Sequence, residues 1–166
     1  MLATVVYLAL GLVWTGRSLL AVIADPQYYD PVTTIDWIAV WTSSLGFVLF
    51  AAAVPLLARE AHAGRMLPGI AWIVAAGALL AALANGMEDG VGIKSWGSLY
   101  VMGSLTTVFG LIAAGAVLWS RQRPTHALVV VLWQAGLVMH SAGFGVLVLV
   151  GSIIAINAGR KAAAFA

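Results

Sequence analysis

The chain has 166 residues, 63% of them apolar and 8% charged, with a mean hydropathy of +1.03 and a formal net charge of +2. A soluble domain of this length has too little interior for so much apolar surface, and lipid forces each crossing segment to satisfy its own backbone. Continuous apolar runs without period-2 alternation therefore predict an all-α, polytopic helical membrane bundle and exclude a barrel; the absence of cysteine excludes disulfides, thiolate nucleophiles and Cys-ligated metals.

Runs of about 20 apolar residues are long enough to cross a bilayer. They predict five transmembrane helices with short loops, over about 3–24, 36–58, 67–87, 97–119 and 126–156, in a single membrane domain. The first run contains Arg17, a side chain that cannot shed its charge and is costly at bilayer depth. It therefore needs a partner, a water-filled cavity or a task. No Lys or Arg precedes this run, so it reads as a retained helix and not as a signal peptide.

The first connection, Asp25-Pro26-Gln27-Tyr28-Tyr29-Asp30-Pro31, is acidic and aromatic, and its prolines stop helix propagation. Asp36 stands at the start of the second helix, where a carboxylate suits the positive helix end. The second connection carries Arg59, Glu60, His62 and Arg65, the third Glu88, Asp89 and Lys94 among glycines, and the fourth is Arg121-Gln122-Arg123-Pro124. The positive-inside rule then places the N-terminus and the second and fourth connections in the cytoplasm. A bacterial cytoplasmic membrane is the expected location. With five spans, the basic tail Arg160-Lys161 falls on the wrong side, unless His140-Ser141-Ala142-Gly143-Phe144-Gly145 breaks the last segment. Trp37, Trp96 and Trp119 fit an aromatic belt at segment ends, whereas Trp14 and Trp41 lie deeper.

Small residues mark the faces on which membrane helices approach each other. The third helix has such a stripe in Ala71, Ala75, Ala78, Ala82, Asn85 and Asp89, the fourth in Gly103, Thr107, Gly110 and Ala114, and the first in Thr4, Gly11, Thr15 and Ser18. Asn85 and Asp89 are thereby expected to point inward.

Under this topology Arg17, Thr42, Ser43, Ser44, Asn85, Glu88, Asp89, Ser104, Thr106 and His140 all fall in the outer half of the bilayer, and the inner half is almost wholly apolar. A desolvated guanidinium favours a carboxylate, so Arg17 is expected to meet Glu88 or Asp89. Glu88, Asp89 and His140 are the candidate acid–base groups, with Arg17, Trp14, Ser44, Asn85 and Trp41 as candidate binding residues. An ordinary structural salt bridge and a satisfied core histidine are the competing readings of Arg17 and His140.

No cofactor, metal or nucleic acid is expected: the three histidines lie on separate segments, and no phosphate-loop or zinc motif occurs. The partners expected are the lipid bilayer and an amphiphilic, lipid-like or isoprenoid-like small molecule, bound or chemically altered in a charge-paired pocket of the outer half. The alternative is a non-catalytic subunit of a homo-oligomer or of a larger membrane complex. A transport path is disfavoured by the apolar inner half, Val74 to Leu80 and Leu111 to Val117.

Overall fold

The computed structural model describes residues 1–26 and 30–164; Gln27, Tyr28 and Tyr29 of the acidic, aromatic first connection lie outside them. The described residues are mostly helical, with no strand among them, and form a helical membrane bundle. Its helices are α1 (Leu2–Ala24), α2 (Thr34–Ala61), α3 (Met66–Asn85), α4 (Gly97–Ser120), α5 (Pro124–Val138) and α6 (Val146–Ala164). Four stretches, Leu2–Ala24, Thr34–Ala61, Met66–Gly90 and Lys94–Ser120, are long and apolar enough to cross a bilayer, and α5 is a shorter apolar helix.

Each helix packs on the next in chain order, and α1 closes the ring on α6. Aromatic side chains fill the interior. Trp14 meets Phe47 and Phe50 at ring separations of 5.6 and 5.8 Å, Phe50 meets Trp133 at 5.9 Å, and Trp133 meets Tyr7 at 5.6 Å. Trp14–Phe47 and Phe50–Trp133 are edge-to-face contacts, in which a positive ring edge meets a negative ring face, and the other two are tilted. The Trp133 indole donates to Ser152 Oγ (3.2 Å), and Tyr7 donates to Glu60 Oε2 (3.0 Å).

The small-residue stripes face inward as expected. Ala71, Ala75, Ala78, Ala82 and Asn85 are buried, as are Gly103, Thr107 and Ala114. Contact between α3 and α4 is backbone to backbone: a Cβ on Gly103 would lie 2.5 Å from Ala81 N and 2.7 Å from Gly77 O. Larger side chains on the outer faces, such as Ile73, Leu79, Leu83, Leu105 and Phe109, are exposed, as residues bordering lipid should be. The start of α2 is a capping box. Thr33 Oγ1 accepts from Asp36 N, and Asp36 Oδ2 accepts from Thr33 N (2.7 Å), which satisfies amides that the helix leaves unpaired.

The last apolar segment departs from the single helix expected over 126–156. It is a hairpin, α5 and α6, joined by a 3₁₀ turn at His140–Ala142 and a left-handed Gly143. Glycine at 143 supplies the positive φ, and glycine at 145 the close approach that brings the turn against Trp14 O and Ser18 of α1. Residues 140–145, which the sequence offered as a possible break in this segment, are where the chain reverses. Met1 and Arg160 consequently line one cavity at the same end of the bundle, and the basic tail no longer conflicts with the charge asymmetry of the loops.

That asymmetry is strong. Arg59, Arg65, Arg121, Arg123, Arg160 and Lys161 belong to the end where the chain starts, and Asp25, Asp30, Asp36, Glu88 and Asp89 to the other. These are called the basic and acidic ends below.

Candidate functional site

The α5–α6 turn lies against α1 from Ser18 to Val22, short of that helix's end at Ala24. Irregular backbone at such depth is stable only where protein groups satisfy it. Ser18 does this twice: its Oγ donates to His140 O (2.6 Å) and accepts from Gly145 N (3.0 Å). One turn of helix therefore places Trp14, Arg17 and Ser18 on a single face directed at the hairpin.

Arg17 is 4% exposed. It donates from Nε to Ser43 Oγ (2.7 Å) and from Nη2 to His140 Nε2 (3.2 Å). Ser43 spends its own proton on Ala39 O (2.8 Å), which leaves its lone pairs for the guanidinium. The His140 ring is fixed in the same way. A guanidinium only donates, so Nε2 must accept; Leu137 O only accepts, so Nδ1 must donate to it (2.7 Å). This is the neutral Nδ1–H tautomer, with the ring edge-on to Trp14 at 5.4 Å. ¹⁵N chemical shifts of the His140 ring at neutral pH should report that tautomer; an Nε2–H ring or an imidazolium there would contradict the geometry.

The expected ion pair between Arg17 and Glu88 or Asp89 does not form. The Glu88 carboxylate turns instead toward the start of α4, where a Cβ on Gly97 would lie 2.5 Å from its Oε1. The carboxylate is buried at the first turn of α4, the positive end of that helix. Asp89 lies beside Lys94, with Oδ1 3.8 Å from Nζ, and Lys94 also pairs with Asp30 at 3.2 Å. Thus Glu88, Asp89 and His140 do not hydrogen-bond to one another, and the three-group acid–base constellation is not assembled among the described residues. Tyr100 of α4 lies close enough to Arg17, Asp89 and Glu88 to feel all three charges.

The other candidates are distributed between these clusters. Trp14 is fully buried core and not a cavity wall. Asn85 donates to Val40 O (3.0 Å) and Ser44 Oγ (2.9 Å), fastening α3 to α2. Trp41 is half exposed and lies on a π-helical turn, Gly86–Gly90, that continues α3. A Cβ on Gly90 would lie 2.8 Å from its ring and one on Gly86 3.4 Å, so the two glycines form the seat of the indole.

At the acidic end a cavity of about 260 Å³ is lined by Asp30, Val32, Trp37, Asp89, Gly90 and Lys94. A separate, lipid-facing groove of about 340 Å³ is lined by Trp37, Ile38, Trp41, Thr42 and Leu45. Trp37 belongs to both. Asp89 Oδ1 is buried and has no hydrogen-bond donor in reach among the described residues, since Lys94 Nζ is too distant for one. No family profile, curated protein or solved structure matches this chain.

Sequence reasoning passed over Ser43, Ser18, Trp37 and Lys94 as site residues. Ser18 follows Arg17 directly and stands four residues after Trp14, and Lys94 is the lone cation among the acidic-end loops. Both signals were readable. The role of Trp37 depends on the path of residues 30–32 across α2, which no local pattern encodes.

Proposed function

We propose that this protein binds an amphiphilic, lipid-like small molecule at its acidic end. The polar head occupies the Asp30–Asp89–Lys94 cavity, and the apolar portion runs along α2 over Trp37, Trp41 and Leu45. The observation that carries this reading is that Trp37 borders both a charged cavity and an apolar groove open to the bilayer. Binding sites of this type pair an extensive apolar wall with a few polar groups that fix orientation.

The buried, donor-less Oδ1 of Asp89 adds chemistry. An unsatisfied buried acceptor costs about 1–3 kcal/mol, and a head group that donates a hydrogen bond, an amine or a hydroxyl, removes that cost. Arg17, Ser43 and His140 belong to the frame in this reading, because they hydrogen-bond to one another and tie α1 and α2 to the hairpin. With both ring nitrogens of His140 engaged, the function is binding and not proton transfer. The positive-inside rule puts the basic end in the cytoplasm and this site at the opposite membrane surface.

Titration of the purified protein with dodecylamine, dodecanol and dodecanoate, followed by tryptophan fluorescence and thermal unfolding, tests the proposal. Saturable binding of the amine or the alcohol is expected, with dodecanoate weaker than either. Asp89→Asn should weaken the amine by about tenfold, the loss of one charge-assisted hydrogen bond, and Trp37→Ala should weaken both. Equal, non-saturable partitioning of all three into wild type and variants would overturn it.

A further inference from the structure

The basic end holds a second cavity that the acidic-end site does not use. It measures about 410 Å³ and lies between the α4–α5 connection and the end of α6. Arg123, Thr125 and His126 line one side, and Asn157 and Lys161 the other. Among the described residues no acidic side chain is in its walls, and two cations, Arg123 and Lys161, face a common space. Glu60, the lone acid of this end, is engaged elsewhere: it accepts from Tyr7 and lies beside Gly159.

The backbone adds to this charge. Helix α5 starts with Pro124 in its first turn and has no side-chain cap, and Ala127 N is the first amide bonded back, to Arg123 O. Thr125 and His126, both in the cavity wall, therefore bring amides without intrahelical partners. Two cations and two amides without intrahelical partners, beside side chains of Gln122, Thr125 and Asn157 that can donate as well as accept, give this wall a net positive, donor-bearing character. Phosphate, with several strong acceptor oxygens and negative charge, complements such a space better than any neutral group.

The hairpin is what creates it. Had α5 and α6 been one helix, Asn157 and Lys161 would lie at the far end of the bundle from Arg123. The reversal at His140–Gly145 brings them within one cavity and at the level where lipid head groups meet the protein.

We propose that this cavity binds a phosphate-bearing anion through Arg123 and Lys161, with Thr125, His126 and Asn157 completing the contacts. Its chemistry is shared by an anionic phospholipid head group and by a soluble phosphate, and the experiment separates these sources. The full chain is placed in phosphatidylcholine nanodiscs with or without 10% phosphatidylglycerol, and bound lipid is counted by native mass spectrometry. One arm instead adds inorganic phosphate to the pure phosphatidylcholine discs and follows thermal unfolding.

Wild type should retain phosphatidylglycerol, and R123Q/K161Q should weaken retention by roughly 30-fold, as expected for two juxtamembrane cations. R59Q/R65Q removes the same charge from the same end and should retain the lipid. Both variants alter solvent-side groups outside the packed interior, and equal unfolding temperatures in phosphatidylcholine discs establish that they are folded. Stabilisation by inorganic phosphate that R123Q/K161Q abolishes, without lipid retention, would support the site and assign it to a soluble phosphate. Equal loss in both double variants, or no retention and no stabilisation in wild type, would overturn the proposal.

Discussion

His140→Leu is expected to destabilise the bundle by about 3 kcal/mol, because it leaves a buried guanidinium facing a hydrocarbon side chain. The same substitution also removes the bond from Nδ1 to Leu137 O that shapes the end of α5. Arg17→Met takes away the charge itself and leaves Ser43 Oγ and His140 Nε2 short of a donor, for a loss of about 2 kcal/mol. The decisive quantity is the double variant. Each single change orphans the partner of the other, so R17M/H140L should cost about 2 kcal/mol less than the sum of the two.

Unfolding in a mixed micelle, measured for all four proteins, gives that coupling directly. Additive losses would show that the 3.2 Å contact between Arg17 and His140 contributes nothing to stability. Arg17→Lys sharpens the test. An ammonium is a compact point charge and cannot direct separate donors at Ser43 on α2 and His140 on the hairpin as a planar guanidinium does. It should recover less than half of the loss. Below their unfolding temperatures, all these variants should still bind dodecylamine, because none of the altered side chains lines the acidic-end cavity.

The sequence makes some of this architecture plain and hides the rest for identifiable reasons. Apolar runs of sufficient length determine α1 to α4 within a few residues, because lipid leaves a long hydrophobic segment no alternative to the helix. Steps of three and four in Ala71, Ala75, Ala78 and Ala82 gave the buried face of α3, since close helix approach selects small side chains at that spacing. The capping role of Asp36 was equally local. The partner of Arg17 was not. Charge complementarity favoured Glu88 and Asp89, but the Glu88 carboxylate lies against the first turn of α4 and Asp89 lies beside Lys94. Arg17 instead meets Ser43 of α2 and the hairpin turn, and the sequence offered residues 140–145 as a possible break without showing which helix the turn would pack on.

Gly145→Ala is expected to cost about 3 kcal/mol or more, the upper range for forcing a methyl group into a packed interface. Its Cβ would be driven into Trp14 O and would lie 2.5 Å from Ser18 Cβ and 3.0 Å from Ser18 Oγ. Neither obstacle is a flexible side-chain end: one is backbone in the middle of α1, and the other is the root of the serine that holds the turn. The hairpin must therefore move away from α1. That movement breaks the bond from Gly145 N to Ser18 Oγ and draws His140 away from Arg17, so the loss exceeds the steric term alone. Gly16→Ala supplies the comparison on the same helix. Nothing lies within 4 Å of the added methyl there, and replacing a mid-helix glycine should gain about 0.5–1 kcal/mol. Opposite signs at positions 16 and 145 would show that the α1–hairpin contact, not general tolerance to alanine, sets stability; equal small effects would mean that the turn is free to settle elsewhere. The same displacement should reach the other end of α6, where Asn157 and Lys161 face Arg123. Gly145→Ala is thus also expected to lower phosphatidylglycerol retention, and Gly16→Ala to leave it unchanged.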